Sequence, residues 1–320
     1  MGAPVDRAIP VLLAPNITRE ISENGWSPDL VTIHSCGAFP GEQISPGIVA
    51  KRGHYTDNDT KYALVSLPQQ FSDPSNRLEL YVEETDYNTV TGAASFLQDN
   101  KDKVLKYVSC DPKRKRVPNS LCLHAVCEFS DGSLQALKRT SDTPYSPNDF
   151  SLSFEEQLDE VDFQSGAALA ATTWMHRAVC EELFPLLNKR SNKSRISLSQ
   201  AYNSVAQYID YMRFWALLLE VEIGNFALMG HIKVNIDPIR FAEIYRDFRA
   251  TGHMRDKEGL MYNVSRNDVR ELLQSRPAQA REMNVDDNTK EILGDFVPIG
   301  TLHRTTLCRA LLWGKCSGLI

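Results

Sequence analysis

The sequence predicts an α+β fold in two parts, and three observations support this prediction. The chain has 320 residues and a mass of 36.0 kDa, whereas one domain usually contains roughly 100–200 residues. Its 42% hydrophobic and 24% charged residues are typical of a soluble globular protein. Strand patterns dominate the first third, and strands mixed with longer helical patterns follow. We therefore expect a smaller mixed α/β N-terminal domain and a larger α+β domain after it.

The N-terminal part, residues 1–111, contains short apolar segments separated by turn-forming residues. A helical pattern covers Tyr87 to Val108, and the polar stretch from Gln98 to Asp102 interrupts it, so one helix or two short helices would satisfy it. Gly, Pro, Asn and Asp residues bound the predicted strands, which are Pro10–Ala14, Leu30–His34, Ala63–Leu67 and Leu78–Val82.

A run of four consecutive basic residues, Lys113–Arg116, separates the two parts. Pro112 and Pro118 bracket this run, and consecutive charges of one sign do not pack in a core, so residues 112–118 are predicted to be a linker. The same pattern is typical of a nuclear localisation signal or a polyanion-binding patch. Two interpretations stay open: a solvated linker, or a functional basic patch.

The C-terminal part, residues 119–320, begins with a predicted hairpin. Two apolar strand patterns, Leu121–Phe129 and Leu134–Arg139, flank an Asp-Gly turn. A short strand at Phe150–Phe154 and a long helix over roughly Ser165–Leu187 follow. The later elements are predicted strands at Tyr211–Val221 and Phe226–Val234 and predicted helices at Pro238–Phe248, Asn267–Gln274 and Thr301–Lys315, the last with Leu302, Leu307, Leu311 and Leu312 on one side.

Composition and charge exclude several classes of function. The 41 acidic and 35 basic residues give a net charge of −6 and a pI near 5.7, which argues against general nucleic-acid binding. The apolar run Phe214–Leu219 is far shorter than the roughly 20 residues of a membrane-spanning helix, so we expect no membrane span. Seven cysteines without C-x-x-C spacing, and an N-terminus without a basic leader, predict a cytoplasmic protein, or a nuclear one if the basic run is an import signal.

The long helix carries the strongest functional signal. At 100° per residue, Ala178 and Val179 belong to an apolar stripe that places Glu182 in its middle. A carboxylate there is costly unless it is paired, protonated or bound to a metal. Glu182 is therefore predicted to be either a buried ion-pair partner or a metal ligand. Arg177 and Glu181 are four residues apart and are predicted to pair along the helix.

The segment Arg177–Pro185 resembles the second half of the Nudix box, G-x5-E-x7-R-E-U-x-E-E-x-G-U. The order of elements before it is similar to the path of the Nudix α/β/α sandwich: a strand, an Asp-Gly turn, a second strand, a loop, a short strand with a Glu pair, and the helix. The resemblance covers residues 119–320 and implies that sandwich for the larger domain. The sequence departs from the box at Ala178, Phe184, Leu169 and Phe163, which replace two glutamates and two glycines.

The resemblance implies a metal site on the helix. Glu181 and Glu182 correspond to the pair that coordinates Mg²⁺ or Mn²⁺ on a pyrophosphate, and Arg177 corresponds to the arginine that orients a box glutamate. Hard divalent ions of this kind bind carboxylates and substrate phosphates together, which neutralises the diphosphate and activates a water molecule.

Other acids could complete the metal site. If an insertion displaces the first half of the box, Glu155 or Glu156 supplies the missing ligand. The alternative is that both are solvent-facing acids at the end of a strand. Glu258 lies in a loop after the core strands, where the resemblance places a late base or an additional ligand.

The resemblance implies a divalent-metal-dependent hydrolase that cleaves a pyrophosphate bond in a nucleoside diphosphate derivative, with the N-terminal domain recognising the non-reacting half. The departure at Ala178 supports a second hypothesis, a catalytically inactive nucleotide- or protein-binding module of the same fold. Many Nudix proteins pair as homodimers, and the sequence leaves the oligomeric state open.

Overall fold

Two sheets, with helices on both faces of the larger one, form the part of the chain that the computed structural model describes: residues 11–13, 25–41, 44–54, 58–65, 77–100, 117–141, 148–187, 196–220, 224–250, 260–283, 294–302 and 306–319. The strands are β1 (Val11–Leu13), β2 (Val31–Ala38), β3 (Thr60–Leu64), β4 (Leu78–Asp86), β5 (Leu121–Glu128), β6 (Leu134–Lys138), β7 (Phe150–Leu152), β8 (Glu155–Gln157), β9 (Ile209–Glu220), β10 (Asn225–Val234), β11 (Leu260–Val264), β12 (Gln279–Glu282) and β13 (Phe296–Pro298). The α-helices are α1 (Pro46–Val49), α2 (Tyr87–Gln98), α3 (Ala167–Ala178), α4 (Leu198–Val205), α5 (Pro238–Ala250), α6 (Arg266–Leu273) and α7 (Thr306–Cys316).

The larger sheet joins ten of the described strands in the order β1-β9-β10-β5-β6-β11-β12-β13, with β7 paired to β6 and β8 paired to β5. Strands β10 and β5 are parallel, whereas the other neighbours in this sheet are antiparallel. The smaller sheet has the order β2-β4-β3, with β2 parallel and β3 antiparallel to β4. The α+β prediction is therefore confirmed.

Strand β5 is covered by a helix on each face. Leu123 and Ala125 belong to a core that also contains Trp174 of α3. Val126 belongs to a different core, which contains Trp313 of α7. Because side chains alternate along a strand, α3 and α7 cover opposite faces of the larger sheet.

Helix α3 approaches strand β10 closely at Gly230. A Cβ atom at this position would lie 2.7 Å from Leu123 Cδ1 and 3.3 Å from Met175 Cε. The first distance is shorter than van der Waals contact, so a larger residue would displace the Leu123 side chain, and the second would be a tight contact with Met175 of the helix. Helix α3 also packs against β2, and it therefore contacts both sheets.

The predicted hairpin and the predicted central strands are confirmed. Strands β5 and β6 flank a turn in which Gly132 has a φ of +79° and its N–H donates to Phe129 O at 2.9 Å. That positive φ is the reason for a glycine here, because L side chains rarely adopt it. The predicted pair at 211–234 is also present, as the antiparallel strands β9 and β10.

The predicted apolar side of the last helix is correct for Leu302 and Leu312, which pack against the core, and wrong for Leu307 and Leu311. Leu307 and Leu311 are 38% and 44% exposed, and the buried face of α7 instead contains Arg309, Ala310 and Trp313. The spacing of the leucines fits a helix. The face with Arg309 and Trp313 is buried instead, because their polar atoms form hydrogen bonds with Ser151, Leu152 and Glu128. None of the described helices is long and apolar enough to cross a membrane.

Strands from both sides of the predicted linker share one core. Ile33 and Leu80 of the smaller sheet pack in the same cluster as Leu123 and Trp174, and β1 pairs with β9. The predicted boundary at 112–118 stays a prediction, because residues 101–116 lie outside the described residues. The second half of the predicted helix at 87–108 and the basic run Lys113–Arg116 also lie outside the described residues.

Candidate functional site

The helix with the predicted site residues ends in an irregular turn. Regular α-helix covers Ala167–Ala178, and a single π-type turn, Val179–Leu183, follows. Phe184 is extended and its N–H donates to Val179 O at 2.7 Å, which closes the turn. Such turns are frequent at functional sites because they change the direction of side chains relative to a regular helix.

This turn overturns the predicted position of Glu182. A regular helix would place Glu182 in the middle of the buried stripe, but the structure leaves both Glu181 and Glu182 partly exposed. The stripe itself is confirmed by the burial of Ala178 and Val179. The phase of the helix changes after Val179, and the two carboxylates therefore lie at the edge of the core.

Arg177 is buried in a cage of three carboxylates, which is defined by Arg177 with Glu156, Asp162 and Glu181 and is called the Arg177 cage below. Its Nε and Nη2 donate to the two oxygens of Asp162, each at 2.9 Å. Its Nη1 donates to Glu156 Oε1 at 2.7 Å and to Glu181 Oε2 at 2.9 Å. Nη2 also donates to Gln157 O at 2.7 Å. All five N–H groups of the guanidinium are thus used, and the predicted Arg177–Glu181 pair is confirmed.

The Arg177 cage contains more negative than positive charge. One guanidinium faces three carboxylates, an excess of two negative charges when all three are ionised. Burial lowers the pKa of Arg177, but Glu156, Asp162 and Glu181 outweigh this effect and hold it well above its ordinary value. Burial raises the pKa of Asp162 in spite of the guanidinium. The arginine therefore stays charged, whereas burial works against the anionic form of Asp162.

Asp162 is held in place by its own turn. It is the third residue of a short 3₁₀ segment, Glu160–Phe163, whose N-cap is Asp159. The backbone N–H of Asp159 donates to Asp162 Oδ2 at 2.9 Å, so this oxygen accepts from both Asp159 and Arg177. The side chain of Asp162 has no solvent exposure. Sequence reasoning missed this residue, although the Asp-x-x-Asp spacing is the signal of such a capping arrangement.

Glu155 and Glu156 lie on opposite faces of the sheet. Adjacent residues of β8 alternate, and Glu156 faces Arg177 of α3 whereas Glu155 faces Arg309 of α7. The interpretation of Glu156 as a solvent-facing acid is wrong, since only 6% of it is exposed. The structure therefore brings Glu156 together with Arg177 and Glu181, and it places Glu155 elsewhere.

Arg309 of α7 is a second buried arginine that faces the sheet, and sequence reasoning missed it. Its Nη2 donates to Ser151 Oγ at 2.7 Å and to Glu155 Oε1 at 3.0 Å, and its Nη1 donates to Leu152 O. Glu155 also lies 3.8 Å from His124 Nδ1. Burial lowers the pKa of Arg309, so backbone oxygens and one carboxylate compensate for its lost hydration.

A third polar network links α7 to the sheet. Trp313 Nε1 donates to Glu128 Oε2 at 2.6 Å, and His231 Nε2 lies 3.1 Å from the same oxygen in a contact that is close but not linear. Tyr211 Oη lies 3.2 Å from His231 Nδ1. Burial lowers the pKa of His231. Burial raises the pKa of Glu128, but the contacts with His231 and Trp313 outweigh it and leave that pKa below its ordinary value.

The predicted metal ligands are only partly assembled by the residues that the structure describes. These residues contain no group of three or more His, Cys, Asp or Glu side chains that could hold a metal ion. Glu258 lies outside them. Glu181 and Glu182 are adjacent at the end of the helix. Glu156 lies near Glu181, because both carboxylates bind Nη1 of Arg177.

Comparisons with known proteins do not assign a family to this chain. No protein-family model matches the sequence, and no curated protein matches it significantly. The geometry of the described residues therefore carries the functional argument.

Proposed function

We propose that this protein is a Nudix-type, divalent-metal-dependent hydrolase that cleaves a pyrophosphate bond in a nucleoside diphosphate derivative. The observation that supports it is the Arg177 cage at the base of the Glu181-Glu182 pair. In this arrangement a fully used guanidinium holds Glu181 among its three carboxylate partners, and the adjacent Glu182 is partly exposed at the end of the helix. The helix lies against a central sheet that has helices on both faces, which agrees with the α/β/α sandwich of the resemblance.

The departures from the box remove glutamates that would bind the arginine, but Arg177 has other carboxylate partners. Leu169, at the position of the first box glutamate, is 50% exposed and contributes no carboxylate. Asp162 and Glu156 supply carboxylates to Arg177 from a 3₁₀ turn and from β8 instead. We propose that these two acids replace the box glutamate as partners of the arginine, and that the orientation of Glu181 is kept in this way.

The carboxylate oxygens at the helix end are the ligand type that Mg²⁺ and Mn²⁺ prefer. Mg²⁺ commonly binds one or two protein carboxylates and completes its coordination with water and substrate phosphates. Glu181 and Glu182 would hold the ion, with Glu258 as an additional candidate. When bound, such an ion neutralises the diphosphate and lowers the pKa of a water molecule. Arg177 holds Glu181 in place through the hydrogen bond from its Nη1.

The test is a hydrolysis assay with the whole chain. The purified protein is incubated with Mg²⁺ or Mn²⁺ and with ADP-ribose, nucleoside diphosphate sugars, dinucleoside polyphosphates or nucleoside triphosphates, and the products are separated by chromatography. We expect Glu182→Gln to lower turnover by about a hundredfold or more, which corresponds to about 2.7 kcal/mol of barrier. Glu160→Gln is the matched control, because Glu160 is an exposed glutamate on the neighbouring turn.

Unchanged turnover in Glu182→Gln would contradict the proposal. An absence of cleavage in the wild type, together with a raised melting temperature in the presence of one compound, would support the inactive binding module instead. Ligand binding stabilises the folded state by RT ln(1 + [L]/Kd) whether or not the ligand is cleaved.

A further inference from the structure

Five polar side chains lie together on the α7 face of the larger sheet, at one end of strands β9, β10 and β5. Tyr211, Lys233 and Glu128 are paired across these three strands and form one row. The next row contains Arg213 opposite His231. Residues that are paired across strands share a face, and so do residues two apart along a strand. These five residues are called the Tyr211 cluster below.

The Tyr211 cluster leads from a buried carboxylate to a partly exposed hydroxyl. Glu128 and His231 are 7% and 2% exposed, whereas Tyr211 is partly exposed. His231 Nδ1 lies 3.2 Å from Tyr211 Oη, and His231 Nε2 lies 3.1 Å from Glu128 Oε2. The second contact is not linear, and catalytic hydrogen bonds often align only when a substrate binds. A carboxylate, an imidazole and a hydroxyl are therefore in contact in the order that activates a nucleophile.

The resting protonation states fit this role. Burial raises the pKa of Tyr211, and the carboxylates of Glu128 and Asp210 act in the same direction, so the phenol stays neutral until a base removes its proton. Burial lowers the pKa of His231, which leaves the imidazole ready to accept a proton. Burial also opposes the ionisation of Glu128, but its contacts with His231 and Trp313 outweigh this effect and lower its pKa. The anionic Glu128 favours the imidazolium that forms when the proton is transferred.

Two cations lie beside the hydroxyl. The guanidinium carbon of Arg213 is 6.0 Å from the centre of the Tyr211 ring, and its Nη1 donates to Met212 O at 3.3 Å. Arg213 is partly exposed and forms no ion pair with a carboxylate of the described residues. Lys233 Nζ lies 3.6 Å from Glu128 Oε1, and 33% of the Lys233 side chain is exposed. Because the N–H groups of a guanidinium match the oxygens of a phosphate, Arg213 is able to bind a phosphate group next to the hydroxyl.

We propose that Tyr211 is the nucleophile of a second site, which accepts a phosphate ester, and that His231 is its base. Tyr211 Oη forms a bond to phosphorus, the P–O bond of the ester breaks, and the phenol proton passes to His231 Nδ1 and then to the solvent. The leaving oxygen takes a proton from the solvent, so the products are phosphotyrosine and an alcohol. Arg213 holds the phosphate, and Glu128 orients His231. This site does not rest on the proposed function, because the Arg177 cage lies on the opposite face of the sheet.

The first test measures the reactivity of the hydroxyl. The full chain is treated with benzenesulfonyl fluoride, in which attack by a phenol on sulfur releases fluoride, and labelled tyrosines are quantified by peptide mass spectrometry. Tyr81 is the internal reference, because it is 40% exposed and donates from Oη to Glu79 at 3.0 Å. Exposure alone predicts faster labelling of Tyr81, whereas we expect Tyr211 to react about tenfold faster or more. Labelling that is no faster at Tyr211 than at Tyr81 would overturn the proposal.

Two substitutions separate activation of the hydroxyl from packing. His231→Gln removes the base but keeps a polar side chain, so we expect labelling of Tyr211 to fall by about tenfold or more. Glu128→Gln keeps an acceptor for Trp313, and we expect it to cause a smaller loss. Labelling of Tyr81 in the same sample and the melting temperature show that each variant is folded. Unchanged labelling of Tyr211 in both variants would exclude His231 as its base.

The second test concerns the class of substrate. p-Nitrophenyl phosphate is added with EDTA, which removes the divalent ions that the proposed hydrolase requires. We expect release of p-nitrophenolate and a phosphate on Tyr211, both lost in Tyr211→Phe, and a KM that rises about tenfold in Arg213→Met. Arg240→Met is the control, because Arg240 is an arginine of a different element and is about half exposed.

The outcomes keep the two sites apart. Labelling by the sulfonyl fluoride without phosphorylation would reject the phosphate ester as the substrate. Metal-dependent cleavage of a nucleoside diphosphate derivative should be the same in Tyr211→Phe as in the wild type, and its loss in this variant would contradict a separate second site. Failure of that cleavage in the wild type, with phosphorylation of Tyr211 intact, would reject the proposed function and support the second site.

Discussion

The two faces of strand β8 carry adjacent glutamates whose arginine partners are held in different ways. On the α3 face, Arg177 is bound by Glu156 and two other carboxylates. On the α7 face, Arg309 is bound by the Ser151 hydroxyl, backbone oxygens and Glu155. The first arginine is surrounded by excess negative charge, whereas the second is held mostly by neutral dipoles.

The difference separates a candidate site from a structural contact. Neutral partners satisfy a guanidinium and fasten α7 to the sheet without accumulating charge. Three carboxylates around one guanidinium give an arrangement that is costly by itself, because like charges oppose one another when they are buried. Such a cluster is typical of functional sites, where pKa values are shifted. Four changes test this comparison.

The largest effect is expected from Arg177→Met. This variant leaves three buried or partly buried carboxylates without their cation, and breaking a buried ion pair from one side costs about 3–5 kcal/mol. We expect a loss of this size in the free energy of unfolding, measured by urea denaturation. Arg240→Met is the control, because Arg240 is about half exposed and pairs with one carboxylate, that of Glu243. A loss of less than about 1 kcal/mol would show that the cage does not depend on its cation.

Arg309→Met is expected to have a smaller effect. Backbone oxygens and Ser151 lose hydrogen bonds, which corresponds to about 1–3 kcal/mol, but one carboxylate instead of three is left without its partner. The same denaturation experiment gives the free energy, and near-ultraviolet circular dichroism reports on the packing of the aromatic side chains, Trp313 among them. If this variant is less stable than Arg177→Met, the contrast between the two faces is wrong.

Asp162→Asn is expected to cost less again. The amide oxygen still accepts one hydrogen bond from Arg177, and the substitution removes one of the two excess negative charges. We expect a loss of about 1–2 kcal/mol in the free energy of unfolding. Asp162→Ala, which removes both acceptors, should be more destabilising, and equal losses in the two variants would mean that the hydrogen bonds to Arg177 contribute little.

The smallest effect concerns the pH dependence of stability on the α7 face. Burial lowers the pKa of His231 from its ordinary value of 6.5. Below about pH 6.5 the unfolded chain therefore binds a proton that the folded chain does not bind, and stability falls as the pH falls. We expect His231→Gln to lose less melting temperature than the wild type between pH 7.5 and pH 5.5. Parallel profiles for the two proteins would contradict this sign.

Asp162 gives the opposite sign on the α3 face. Its pKa is raised in the folded state, so the folded chain takes up this proton first as the pH falls, and the group itself favours folding in acid. The Asp162→Asn variant cannot take up this proton, so below about pH 5 its melting temperature should fall more steeply with decreasing pH than that of the wild type.

Local sequence patterns predicted most of the helices and strands. They could not predict which strands that are distant in the sequence pair in a sheet. The hairpin of β5 and β6 follows from alternation and an Asp-Gly turn. The pairing of β1 with β9 joins segments about two hundred residues apart, and no local pattern predicts such a partner. The hydrophobic core that both sheets share could not be predicted for the same reason.

The candidate site was predictable where its signal lay within one helix. Arg177 and Glu181 are one turn apart, and spacing alone predicts their contact. The positions of Asp162 and Glu156 depend on how a 3₁₀ turn and a short strand pack against that helix. Glu182 was misplaced because a π-type turn changes the helical phase, which a constant step of 100° does not include.

Strand β1 has a practical consequence for handling the protein. It is the outer strand beside β9, whose residues Phe214 and Leu217–Leu219 are all fully buried. An unpaired edge of such an apolar strand is a template for addition of another chain, and it promotes aggregation. A shortened form that lacks residues 11–13 would uncover this edge. Amino-terminal tags and proteolytic trimming should therefore leave β1 intact, or the protein is expected to self-associate through β9.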